Sequence, residues 1–115
     1  MNKTEIEKVQ KVFDDLGINL TLDDNHAEIE FWTDTAGQDI YFEADFDESL
    51  ESFVRQVEKI AEDYDVDEEC KCYMESLGKH GVPSSVRVLV DDCEEAENTL
   101  CELSDKLFEL LRGGN

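Results

Sequence analysis

In HAEIEFWTDTAGQDIYFEADF, residues 26–46, apolar and polar side chains alternate in two runs separated by a break. Ala27, Ile29 and Phe31 alternate with Glu28, Glu30 and Trp32; Ile40, Phe42, Ala44 and Phe46 alternate with Tyr41, Glu43 and Asp45. A period of two belongs to a β-strand with one face on a core and the other in water. The spacing predicts strands over about residues 26–34 and 40–46, joined by a turn at Thr35-Ala36-Gly37-Gln38. A turn this short makes them antiparallel neighbours.

Working outward, Ile18, Leu20 and Leu22 alternate in the same way, and Asp23-Asp24-Asn25 turns the chain into the next strand. The three strands form a meander. Upstream, Ile6, Val9, Val12, Phe13 and Leu16 follow helical spacing; Thr4 with Glu7 has the form of a capping box, and Gly17 ends the helix. Downstream the period becomes helical. Leu50, Phe53, Val54, Val57, Ile60, Ala61 and Tyr64 make one stripe, with Asp47 expected as its N-cap. A short helix through Cys70, Tyr73, Met74 and Leu77 is expected to close at Gly78, followed by a loop at Lys79-His80-Gly81-Val82 and a helix start at Pro83. The last helix is expected over about 84–111. Val86, Cys93, Leu100 and Leu107 fall at one heptad position, and Leu89, Ala96, Leu103 and Leu110 at the other core position. Either the earlier helices pack along this seam or part of it dimerises. The fold class is α+β: an N-terminal helix, a three-stranded antiparallel meander, then two or three helices ending in a long amphipathic one. Residues 1–112 form a single acidic domain, and 113–115 a disordered tail.

The polar face of the meander is the unusual part. It carries Asn19 and Thr21, then Glu28, Glu30, Trp32 and Asp34, then Tyr41, Glu43 and Asp45. Like charges opposite one another weaken a sheet, so stability alone does not select this face. The whole chain shares the bias: 31 acids against 10 Lys and Arg in 115 residues, a formal net charge of -21. No Lys or Arg occurs between Lys11 and Arg55, a stretch with thirteen acids, nor between Arg87 and Lys106, with seven. Charge of this density repels itself and destabilises a compact state. The chain still folds, because 40% of residues are hydrophobic, six Phe are present, and acids interleave with apolar residues.

Several sites are excluded by spacing. Asp63, Asp65 and Asp67 resemble the start of a calcium loop, but Glu68 and Met74 stand where Gly and a bidentate Glu are needed. They read as a solvated acidic loop or a helix N-terminus, with at most weak cation binding. Cys70, Cys72, Cys93 and Cys101 lack zinc spacing; Cys70 and Cys72 point to different sides of a helix, and Cys93 is a small core filler. No metal or cofactor is expected. His26 and His80 have no companion nucleophile, and no glycine-rich phosphate loop exists, so an enzyme is not expected. No apolar stretch has the length of a signal peptide or membrane span, which places the chain in the cytoplasm.

Direct nucleic-acid binding is excluded by charge. The inverse is the expectation: carboxylates on a stiff scaffold occupying the basic nucleic-acid groove of another protein. The expected partner-binding residues are Asp23, Asp24, Glu28, Glu30, Trp32, Asp34, Tyr41, Glu43 and Asp45, continued by Asp47, Glu48 and Glu51. Trp32 and Tyr41 would be the aromatic anchors. The outer side of the last helix, with Asp91, Asp92, Glu94, Glu95, Glu97 and Glu102, offers a second strip. The alternative is an adaptor or antitoxin-like partner that makes its contact, or a homodimer, through the hydrophobic seam of the C-terminal helix.

The segments FWTDTAGQDI (residues 31–40), YDVDEE (64–69) and Gly81-Val82-Pro83 resemble small acidic proteins on mobile elements of Gram-positive gut bacteria. In element order the chain is similar to prophage-encoded Cas9 inhibitors, and in charge to antirestriction DNA mimics. The resemblance implies a setting in element transfer or host defence and an inhibitor acting on a nucleic-acid-binding protein. It rests on composition and order, so it assigns no residue a role.

Overall fold

The computed structural model describes residues 2–46, 49–78 and 86–113. Asp47, Glu48, the loop with Lys79, His80, Gly81 and Val82, Pro83, and residues 114–115 of the expected tail lie outside the described residues, as do the side chains of Tyr73, Met74, Leu77 and Val86. The order is α1 (Lys3–Leu16), β1 (Asn19–Asp23), β2 (His26–Trp32), β3 (Asp39–Asp45), α2 (Leu50–Asp63), α3 (Val66–Gly78) and α4 (Val86–Leu111). The fold is α+β with one antiparallel sheet of order β1-β2-β3.

Local chemistry explains the element ends and moves some of them from where the sequence spacing puts them. The capping box at α1 belongs to Asn2 and Glu5, not Thr4 and Glu7. The Asn2 side chain accepts from the Glu5 N–H at 2.8 Å, and the Glu5 carboxylate accepts from the Asn2 N–H at 3.1 Å. Thr4 is already inside the first turn. Gly17 closes the helix in the left-handed region, φ 69°, as expected of a glycine there. Ser49, not Asp47, caps α2: its hydroxyl accepts from the Ser52 N–H at 3.1 Å. Asp65 accepts from the N–H groups of Asp67 (3.0 Å) and Glu68 (3.3 Å), so it caps α3 rather than opening a calcium loop.

β2 ends at Trp32, two residues short of the expected Asp34. Thr33 is buried and closes a loop instead. Its N–H donates to Gln38 O, its carbonyl accepts from Gly37 N–H, and its hydroxyl accepts from Gln38 N–H at 2.8 Å. Asp34 therefore sits in the loop and not on the sheet face.

One face of the sheet meets the helices. Ala27, Ile29, Phe31, Ala44 and Phe46 pack with Val9 and Phe13 of α1, Phe53, Val54 and Val57 of α2, and Ala96, Leu100, Leu103 and Leu107 of α4. Phe53 is central: its ring lies 6.3 Å from Phe13 and 4.8 Å, edge-on, from Phe46. The heptad seam of α4 is spent inside the molecule. Leu89, Cys93, Ala96, Leu100, Leu103 and Leu107 are all buried, and α1, α2 and α3 pack along the helix. From Leu89 to Leu107 the seam therefore serves the chain's own core, and Leu110 stays half-buried. α4 has 26 residues, in a body measuring 49 × 26 × 21 Å. Cys70, at 3.5 Å from the Leu89 carbonyl, and Cys93 are buried where α3 meets α4; Cys72 and Cys101 are exposed. Burial pushes the Cys93 thiol up to about 12, as suits a core filler rather than a reactive thiol. Among the described residues no helix is long and apolar enough to cross a membrane.

Candidate protein-binding surface

The other face of the sheet is uncovered. Strand register places Asn19, Glu30 and Tyr41 in one row, Thr21, Glu28 and Glu43 in the next, and Asp23, His26 and Asp45 in a third; Asp39 pairs with Trp32 at the far end. Neighbouring strands lie about 4.8 Å apart and same-face residues repeat about every 6.8 Å along a strand. The result is a stiff grid of charge, held by the backbone ladder and not by long side chains alone. Trp32 and Tyr41 are 52% and 50% exposed, the two large hydrophobic side chains on the surface among the described residues.

Glu28 and Glu43 face each other directly, a pairing that costs stability unless something intervenes. Tyr41 intervenes. Its hydroxyl lies 2.8 Å from Glu43 and 3.0 Å from Glu28, and donates to one of them at a time. His26 Nε2 stands 3.1 Å from the same Glu43 oxygen. Hydrogen bonds from Tyr41, then His26, hold Glu43 below the usual carboxylate range. Glu30 has no such help: lost solvation, then the neighbouring Asp39 and Glu28, push it up. A depression of about 360 Å³ opens between this face and the end of α1, bounded by Asp14, Glu28, Glu30 and Tyr41. Its lining is rich in acceptors and poor in donors, which suits a cationic side chain.

His26, Glu28 and Glu43 also offer ligand atoms within 4.8 Å of one another, the composition a divalent cation accepts. In this structure the same atoms satisfy each other and Tyr41.

Lys and Arg leave this face alone. Among the described residues every Lys or Arg ion pair joins residues three or four apart on a single helix: Lys11–Asp15, Arg55–Glu51, Arg55–Glu58, Lys59–Asp63 and Lys106–Glu109. Glu51, expected to extend the acidic face, is the exception among the candidate residues, with the Arg55 guanidinium 3.8 Å away. Asp23, Asp24 and Asp45 are exposed at the β1–β2 turn end of the sheet, Asp24 in the left-handed region with φ 52°. Asp39, which the spacing leaves between the turn at 35–38 and the strand from Ile40, is the first residue of β3 on this same face.

The second strip, on α4, loses two of its six acids to the fold, while Asp91, Glu94 and Glu102 stay exposed and Glu97 half-buried. Asp92 is fully buried and accepts from the Ala36 N–H at 2.9 Å, leaving its other oxygen without a partner. Glu95 accepts from the N–H groups of Asp34 and Thr35 and from the Thr35 hydroxyl. Desolvation alone would raise its pKa, but the bonds from Thr35 and Asp34 outweigh it and lower it. The two acids are a clamp that holds the β2–β3 loop on α4. A sequence signal for it exists: the loop from Thr33 to Gln38 has backbone donors that no strand can satisfy, and buried donors need acceptors. Which acids would supply them, some sixty residues away, is not visible from spacing.

Comparison of the chain with protein-family models, with curated proteins and with solved structures found no match.

Proposed function

We propose that this protein is a non-enzymatic acidic inhibitor that presents the outer face of its meander to the basic nucleic-acid groove of a DNA-processing or defence protein. The observation that supports it most is the grouping of Glu28, Glu30, Asp39, Glu43 and Asp45 with exposed Trp32 and Tyr41 on one solvent-facing sheet, out of reach of any Lys or Arg ion pair among the described residues. A face of this kind is unfavourable for its own fold, yet suits a partner dense in Arg and Lys. Complementary fields of this strength speed association and make it sensitive to salt. The aromatic pair, Tyr41 within the acidic rows and Trp32 at their end, supplies apolar contact area of the kind that concentrates binding energy. The resemblance to mobile-element proteins, and the likeness in element order to Cas9 inhibitors, favour a target in host defence and a cytoplasmic setting.

The adaptor alternative finds less to stand on, since the seam residues Ala96, Leu100, Leu103 and Leu107 lie in the chain's own core. Leu100→Asp or Leu103→Asp would unfold the protein rather than test a contact.

Affinity capture from an extract of the native host tests the proposal. The wild-type chain at low salt is expected to retain nucleic-acid-processing proteins that duplex DNA then elutes. The triple variant Glu28→Lys, Glu30→Lys, Glu43→Lys is expected to retain none of them. Retention of the same proteins by the triple variant, or undiminished retention at high salt, would overturn it.

A further inference from the structure

We infer that the target is engaged by strand addition: an extended segment with alternating basic and apolar residues pairs with the free edge of β3 along Asp39, Tyr41 and Glu43. This rests on the reading of the acidic face given above and specifies how a partner meets it.

The edge follows from the ladder. In an antiparallel pair, alternate residues turn both backbone groups toward the neighbour and the rest turn both away. Phe46 N–H donates to Asn25 O at 2.7 Å, and Thr33 N–H donates to Gln38 O at 3.0 Å. Ile40, Phe42 and Ala44 therefore bond to β2, and Asp39, Tyr41, Glu43 and Asp45 direct their N–H and C=O groups outward. At Asp45 the outward pair is already closed: its N–H donates to Gln56 Oε1 at 2.8 Å, and Gln56 Nε2 donates to its carbonyl at 3.1 Å. The Gln56 carboxamide occupies the place of a neighbouring strand for one residue and no further. Among the described residues nothing bonds to the outward groups of Tyr41 and Glu43.

The surfaces on either side of that edge define the occupant. On the core side Ile40 and Phe42 stay partly exposed, while their β2 partners Phe31 and Ile29 are 4% and 0% exposed. An added strand would cover them with apolar side chains. On the outer side its alternate residues would lie beside Asp39, Tyr41, Glu43 and Asp45, where Lys or Arg is complementary. A second copy of this chain is a poor occupant, because edge-to-edge pairing sets these acids against each other. The β1 edge carries less charge: its outer face offers Asn19, Thr21 and a single acid, Asp23, against three acids on β3.

The probe is a labelled synthetic heptapeptide of alternating arginine and valine, with blocked ends. Three further peptides accompany it: one N-methylated on the arginines, one N-methylated on the valines, and one with the same residues in two blocks. Only one alternate set of peptide N–H groups faces β3, so methylating one set is expected to weaken binding by about tenfold or more, and methylating the other to spare it. The blocked-order peptide should bind weakly, and the amides of Tyr41 and Glu43 should gain protection from hydrogen exchange. Equal binding by both methylated peptides, no binding by the parent peptide, or no protection at Tyr41 and Glu43 would overturn strand addition. If arginine peptides bind by charge alone, the Glu28→Lys, Glu30→Lys, Glu43→Lys variant still loses them, so strand addition fails while the acidic-face reading stands. Binding unaffected by that variant sinks both.

Discussion

The outer face of β2 and β3 and the acidic run of α4 are built from the same residue types in stretches equally free of Lys and Arg, yet their carboxylates do opposite things. On α4, Asp92 and Glu95 accept four hydrogen bonds from the β2–β3 loop between them and hold the hairpin to the helix. On the sheet, Glu28, Glu30 and Glu43 crowd one another and depend on Tyr41 and His26 for relief. Asp92 and Glu95 stabilise the fold; on the sheet Glu30 opposes it, while Glu43 is relieved by Tyr41 and His26. Substitutions of Glu95 and Glu30 should therefore have opposite signs, and that contrast separates an acid the fold uses from one it merely tolerates.

The largest effect belongs to the clamp. Glu95→Ala leaves three donors of the loop without their acceptor and should cost about 2–4 kcal/mol in chemical denaturation, with faster amide exchange at Asp34 and Thr35. No loss of stability would place Glu95 with the free acids and break the contrast. Asp92 sharpens it. Asp92→Ala removes the acceptor for Ala36 N–H and should cost about 1–3 kcal/mol, whereas Asp92→Asn keeps that acceptor and removes a charge from a site where one oxygen has no partner. Asn should therefore be far milder than Ala, and an Asn variant as unstable as the Ala variant would show that the charge itself is needed.

Acid titration distinguishes the regions next. The Glu95 pKa is lowered by folding, so its contribution is full above the ordinary glutamate value and is lost as pH falls through the folded value. Glu30 is raised, so its ionised form opposes folding; the fold gains from Glu30 as pH falls through the raised value and loses that gain as pH rises back through it. Unfolding curves of Glu95→Gln should lack the acid-side loss, and those of Glu30→Gln should show a slightly higher melting temperature at neutral pH. A melting temperature lowered by Glu30→Gln would place Glu30 with the structural acids. The smallest change in stability is expected from Trp32→Ala, within about 0.5 kcal/mol because half the side chain is already in water, while partner binding falls sharply. Titration calorimetry with the captured target, beside a thermal melt, checks both halves.

Much of this architecture is readable from spacing. The two-residue alternation from Leu20 to Phe46 specifies a meander with Glu28, Glu30, Trp32, Tyr41 and Glu43 on its outer face, and the heptads of α4 specify which side of that helix is apolar. Element ends are less legible, because each depends on which of several nearby side chains reaches a free N–H: Asn2 and not Thr4, Ser49 and not Asp47. Asp39 was hidden by its place next to a turn, since only the pairing with Trp32 extends β3 to it.

Periodicity determined the kind of each element and the face each residue occupies, because backbone geometry repeats every two or 3.6 residues whatever lies around it. Only the tertiary structure decided which acids remain free. Glu28 stays in water because nothing is laid over the sheet, and Asp92 is buried because the β2–β3 loop folds down onto α4. A carboxylate's surroundings are set by groups dozens of residues away along the chain, and no local pattern encodes that distance.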